Sequence, residues 1–134
     1  MAISKIETDS LASGLVAPTA TALTTASGSA PSYSARAWVN FNGTGVVAIR
    51  ASGNVSSITD NGIGYYTVNF TTAMQDADYA APMTCSNGSY YSNSAEPLSQ
   101  ATTSVTIYCW SRGTTSTGAS AAYDMTTVQV AISR

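Results

Sequence analysis

The groups in this chain that could move a proton, attack a carbonyl or hold a metal are few, and poorly spaced for any of those tasks. Among its 134 residues there is no histidine, so the commonest general base and the commonest metal ligand are both missing. The carboxylates are Glu7, Asp9, Asp60, Asp76, Asp78, Glu96 and Asp124. Most sit in turn contexts, where an Asp side chain accepts a hydrogen bond from its own backbone. Asp76 and Asp78 form the close pair within residues 35–134; its oxygens could contribute to a Ca²⁺ site or simply cap a turn. A glycosidase pair is defined by separation in space, and nothing in the linear spacing favours one. Cys85 and Cys109 have no histidine to activate them as nucleophiles. Two cysteines do not make a disulfide framework, so both are read as buried small hydrophobes at inward strand positions. Gly43-Thr44-Gly45 sits in a hairpin, not a phosphate loop. The expectation is a non-enzymatic protein with no catalytic residue, metal or cofactor.

Contact chemistry is better supplied. Strand phase places Tyr65, Tyr108 and Trp110 outside the core, and loop position does the same for Tyr90 and Tyr91. An outward aromatic offers a large apolar face with a polar tip, which suits an interface. Two uses compete: packing between identical subunits, and stacking on a sugar at a cell surface. Tyr108 and Trp110 are assigned to the subunit interface; Tyr90, Tyr91 and Tyr65 are assigned to ligand or receptor contact, with a plain loop anchor as the alternative for the loop pair.

The elements that must position these rings are strands. From Ala35 onward apolar residues recur with period two, the signature of strands with one buried face. Ala37, Val39 and Phe41 alternate with Arg36, Trp38 and Asn40. Asn42-Gly43-Thr44-Gly45 is a tight turn, and residues 46–52 return with Val47 and Ile49 in phase. Residues 55–59 make a short strand, Asp60-Asn61-Gly62 a turn, and residues 64–71 a strand with Tyr66, Val68 and Phe70 on one face. Residues 79–85 read as a strand that Pro82 demotes to an edge or bulge. Residues 104–111 carry Val105, Ile107 and Cys109 inward, and residues 125–133 carry Val128, Val130 and Ile132. Residues 87–103 and 112–124 read as long loops, and no helix is convincing. The pattern predicts an all-β fold: a single antiparallel β-sandwich or barrel-like domain of about seven strands over residues 35–134. Its predicted core is Val39, Phe41, Ile49, Val68, Phe70, Val105, Ile107, Val130 and Ile132. Residues 1–34 are rich in Ala, Ser and Thr without a sustained period, which predicts an extended N-terminal arm for attachment and assembly, with a disordered leader as the alternative.

Composition narrows the partners. Charged residues are 9 % of the chain and hydrophobic residues 44 %, against roughly 25 % charged in ordinary globular proteins. A surface of Ser, Thr, Asn, Gly and Tyr with so little charge is prone to association, so a homo-oligomer is expected. The net charge of −2, with Lys5, Arg36, Arg50, Arg112 and Arg134 scattered singly, argues against nucleic acid. No apolar run approaches the ~20 residues of a membrane span, and the N-terminus lacks the layout of a signal peptide, so folding in a cytoplasm is expected.

Residues 37–45 (Ala-Trp-Val-Asn-Phe-Asn-Gly-Thr-Gly), 47–52, 54–62 and 66–74 together resemble a module of tail-fibre and other structural proteins of tailed bacteriophages. The resemblance covers about residues 37–80; the opening Ser4-Lys5-Ile6-Glu7-Thr8-Asp9-Ser10-Leu11 is similar to phage fibre proteins more weakly. Ile63, Tyr65 and Gln75 depart from the module, and beyond Ala81 the likeness fades. The resemblance implies a virion protein assembled in the host cytoplasm and released by lysis: a short tail-fibre or host-attachment subunit, homotrimeric if a fibre. It would join tail or capsid proteins through residues 1–34 and face a host surface glycan with its β domain. A capsid decoration or head-fibre protein is the alternative within that class. A secreted carbohydrate-binding module is the alternative outside it.

Overall fold

The computed structural model describes residues 35–88, 93–112 and 120–134, so the expected arm and the pair Tyr90-Tyr91 lie outside the described residues. The described residues are all-β, in nine strands: β1 (Ala35–Asn42), β2 (Ala48–Gly53), β3 (Val55–Gly62), β4 (Tyr65–Phe70), β5 (Met83–Ser86), β6 (Asn93–Ala101), β7 (Ser104–Arg112), β8 (Ser120–Ala122) and β9 (Thr127–Ser133). They form two antiparallel sheets, ordered β2-β1-β9-β5 and β3-β4-β7-β6. The short β8 pairs with β7 through Trp110, Ser111 and Arg112, continuing the line of β4.

Each central strand buries alternate residues, and the two inner faces meet in one core. The four-stranded sheet contributes Ala37, Val39, Phe41, Val128, Val130 and Ile132; its partner contributes Tyr66, Val68, Phe70, Val105, Ile107 and Cys109. Phe41 meets Tyr66 edge-on with ring centroids 5.2 Å apart, and Phe70 meets Tyr79 likewise at 6.0 Å. These are the offset geometries that ring quadrupoles favour. Tyr79 and Met125, buried just outside named strands, fill the two ends of the core.

Three expectations are corrected. Ile49 is 38 % exposed rather than buried. It faces Phe41 across a bulge in the β1–β2 register, but β2 is an edge strand and little else lies over it. The expected loop 87–103 contains β6, a nine-residue strand along β7. As an edge strand it needs no alternating apolar face; of its side chains only Ala95 packs against the core. Pro97 is tolerated there, at a bulge. The expected loop 112–124 likewise contains β8, so the sandwich has more strands than about seven.

The chain crosses from one sheet to the other at Asn54, which adopts φ +56°. Its amide donates to the carbonyls of Arg36 (3.1 Å) and Thr72 (3.0 Å), and its Oδ1 accepts from the Thr72 N–H (2.7 Å). Asn tolerates the left-handed region and supplies both donors and an acceptor, which this corner requires.

Candidate functional site

Strands β4 and β7 run through the middle of the five-stranded sheet. Their inward residues are core, so the intervening residues must stand on the outer face. On β4 these are Tyr65, Thr67 and Asn69; on β7 they are Thr106, Tyr108 and Trp110. Register sets Tyr65 directly opposite Tyr108 and Thr67 opposite Thr106. The two tyrosine rings stack with centroids 4.7 Å apart and planes inclined by 29°. Tyr65 and Tyr108 therefore belong to one patch, although the sequence assigned them to different tasks. Trp110 follows two residues along β7, half-buried, opposite Ser94 on β6 and Ala122 on β8.

Beyond the rings the face is a lattice of hydroxyls and amides. The Thr67 and Thr106 hydroxyls lie 3.1 Å apart, and the Asn61 amide donates to Thr67 at 2.8 Å. The Asn69 amide donates to the Ser57 hydroxyl (3.1 Å) and to the Thr59 hydroxyl (3.0 Å). These bonds tie β3, β4 and β7 into a stiff surface. Glu96, opposite Tyr108 on β6, brings a carboxylate to this face. Burial, followed by repulsion from Tyr65, pushes the Tyr108 phenol up from its ordinary value.

The chemical groups named by the sequence are placed plainly. Asp76 accepts from the N–H of Asp78 at 2.9 Å and pairs with Arg134, an ordinary turn cap with an ion pair. Among the described residues no three His, Cys, Asp or Glu side chains gather as a metal site would require. Cys109 is fully buried and Cys85 half-buried, both as free thiols. They stand on opposite sheets, and each shifts the titration of the other. Cys85 pushes the Cys109 thiol up, with burial adding to the effect, and Cys109 pulls Cys85 down.

Asp124 is the polar residue that sequence reasoning missed. Its Oδ1 accepts from the Gly64 N–H at 2.8 Å and from the Tyr66 hydroxyl at 2.7 Å. It also lines a cavity of about 310 Å³ with Thr44, Ile63, Asn87, Tyr123 and Thr126. With that oxygen engaged by two donors, Asp124 serves structure first.

No family model, no curated protein and no solved structure matches this chain.

Proposed function

We propose that this chain is a non-enzymatic structural subunit of a tailed-phage virion, most simply a short tail-fibre or host-attachment protein. Residues 1–34 anchor it to tail or capsid proteins, and the β domain is displayed. The sequence resemblance over residues 37–80 supplies the class. The observation that carries the assembly reading is the Tyr65–Tyr108 stack with Trp110 beside it, on an outer face built otherwise of hydroxyls and amides. Aromatic side chains concentrated on one face with little charge around them suit a permanent protein contact. That face is the contact between identical subunits, in a trimer if the protein is a fibre. Tyr90 and Tyr91, with any contribution Tyr65 retains at the rim, face a host surface glycan.

Purified particles are the test. Mass spectrometry should find the chain in gradient-purified virions, and cryo-electron microscopy should find it on the tail, at a few tens of copies at most. Hundreds of copies on the capsid would make it a decoration protein instead. Absence from washed particles would overturn the reading. Sedimentation of the purified chain should show an oligomer that Trp110→Ala weakens.

A further inference from the structure

The outer face of the other sheet carries a separate feature. Trp38 on β1 is 44 % exposed. Its register partners are Gly53 on β2 and Ala131 on β9, so the ring is flanked by the two smallest side chains. The indole leans onto Gly53 so closely that a Cβ built there would lie 2.4 Å from Nε1 and 2.9 Å from Cδ1. A side chain at 53 would lift the ring off the strand. The pyrrole part of the indole therefore lies against the backbone of β2, while nearly half of the residue is open to solvent.

Polar groups flank that ring in register. Two residues along β1, about 7 Å away, Asn40 stands between Ala51 and Gln129. Arg50 reaches across β1 at this row. Its guanidinium donates to Asn40 Oδ1 (3.4 Å), the Phe41 carbonyl (3.3 Å), the Thr127 hydroxyl (3.4 Å) and the Thr126 carbonyl (2.6 Å). All four acceptors are neutral oxygens, so the positive charge is fixed in place but not cancelled. Arg36 lies two residues from Trp38 on its other side. Strands β1, β2, β5 and β9 contain no Asp or Glu, whereas Asp60 and Glu96 stand on β3 and β6. Arg50 therefore stands on a sheet whose own strands carry no carboxylate.

We propose that this face binds an acidic polysaccharide of a cell surface, one sugar ring stacking on Trp38 and a uronate carboxylate meeting Arg50. A single flat ring with small neighbours fits a pyranose, whose axial C–H bonds pack on an aromatic face, as bases stack on aromatic side chains in single-strand binding. A second copy of the chain would want a wider apolar patch, with several large side chains around the ring. A fixed guanidinium is the donor that recognises a carboxylate in two-point fashion. The inference rests on the host-glycan part of the proposed function, names an acidic sugar as the ligand and adds a contact on the opposite sheet. Because binding is read on the purified chain, its failure leaves the virion assignment standing.

The test uses the full chain with hexagalacturonate as probe and maltohexaose as the neutral control, followed by titration calorimetry. The acidic probe should bind, and bind at least tenfold more tightly than the neutral one. Trp38→Ala should weaken binding at least tenfold. Arg50→Gln should remove the acidic preference. Gly53→Ala, which keeps every charge and the indole itself but lifts the ring, should weaken binding several-fold with the thermal midpoint retained to within a few degrees. No binding of hexagalacturonate by the wild-type chain, or binding unchanged in both Trp38→Ala and Gly53→Ala, would overturn the proposal. So would sedimentation showing that Trp38→Ala dissociates an oligomer, which would give this face to a second copy.

Discussion

The hydroxyl of Tyr66 lies 2.7 Å from Oδ1 of Asp124 and 2.9 Å from the carbonyl oxygen of Gly43, and its ring is fully buried. The same carboxylate oxygen holds the N–H of Gly64, and the N–H of Gly43 donates to the carbonyl of Met125 at 2.9 Å. Three turns that are distant in sequence, after β1, between β3 and β4 and before β9, are thereby tied at one end of the sandwich. A buried hydroxyl must find a partner. Here the partner also fixes the approach of the last strand.

Removing that hydroxyl should cost stability without changing the fold. Tyr66→Phe keeps the ring that packs on Phe41 and loses a charge-assisted hydrogen bond, so a loss of about 1–3 kcal/mol is expected. Asp124→Ala strands the Gly64 N–H and leaves the Tyr66 hydroxyl only the neutral Gly43 carbonyl, and should cost at least as much as Tyr66→Phe. Asp124→Asn keeps an acceptor oxygen and should fall between wild type and alanine. Urea midpoints of the three variants test the order; a stable Asp124→Ala would show that the knot is incidental.

The same knot sets an alkaline limit. Burial, then the hydrogen bond and charge of Asp124, push the Tyr66 phenol far above its ordinary value; burial raises Tyr79 as well. The fold holds these phenols neutral, whereas the unfolded chain releases their protons near pH ~10. The unfolded state then binds fewer protons than the native one, so stability is whole below about pH 10 and falls as pH rises beyond it. Urea midpoints measured from pH 8 to pH 11.5 should decline in the wild type and decline less steeply in Tyr66→Phe. Equal slopes would remove Tyr66 from the account.

Much of this architecture is legible in the sequence because burial on one face leaves a period of two. Val39, Phe41, Val68, Phe70, Val105, Ile107, Val130 and Ile132 are all buried as the alternation predicts. Tyr108 and Trp110 take the outer face for the same reason. Where burial is one-sided at a rim the signal fails. Ile49 keeps the phase but is half uncovered, and β6 forms from Asn93–Ala101 with almost no apolar pattern, held by β7 along its edge. Asp124 was invisible for another reason. Its partners Tyr66 and Gly64 are 58 and 60 residues away, and no local pattern reports a hydrogen bond between turns so far apart in the chain. The stacking of Tyr65 on Tyr108 is likewise a matter of strand register across 43 residues, which alternation alone leaves open.

The cysteines should differ sharply in reactivity. Cys85 is half-buried, and the neighbouring Cys109 pulls its thiol down; Cys109 is fully buried and is pushed up by Cys85 and by burial. The thiolate is the reactive form. In native protein a maleimide should modify Cys85 first, and Cys109 only at the rate of unfolding. Peptide mapping after timed labelling distinguishes the two, and equal rates would contradict the buried placement of Cys109.

Gly64 should be the least replaceable glycine in the described domain, for two separate reasons. Its φ of +75° lies in the left-handed region, where a side chain costs of order 1 kcal/mol or more. In addition, a Cβ there would sit 2.4 Å from the carbonyl oxygen of Cys109 and 2.8 Å from the N–H nitrogen of Tyr123. Both are backbone atoms, and both are held. The Cys109 N–H donates to the Gly64 carbonyl at 2.7 Å, and the Tyr123 N–H donates to the Cys109 carbonyl at 3.1 Å. Relieving the clash would pull β7 from the line of β4 and β8, and drag the Gly64 N–H away from Asp124. Gly45 provides the control, with φ +63° but no atom within 4 Å of an added Cβ. Gly64→Ala is expected to lose about 3 kcal/mol or more, or to fail to accumulate as folded protein, while Gly45→Ala loses about 1 kcal/mol. Gly45→Asn, which suits the left-handed region better, should lose less still. Thermal melts of the three variants read out the comparison. Equal losses for Gly64→Ala and Gly45→Ala would show that backbone conformation alone matters and that the close approach of β7 to Gly64 carries no cost.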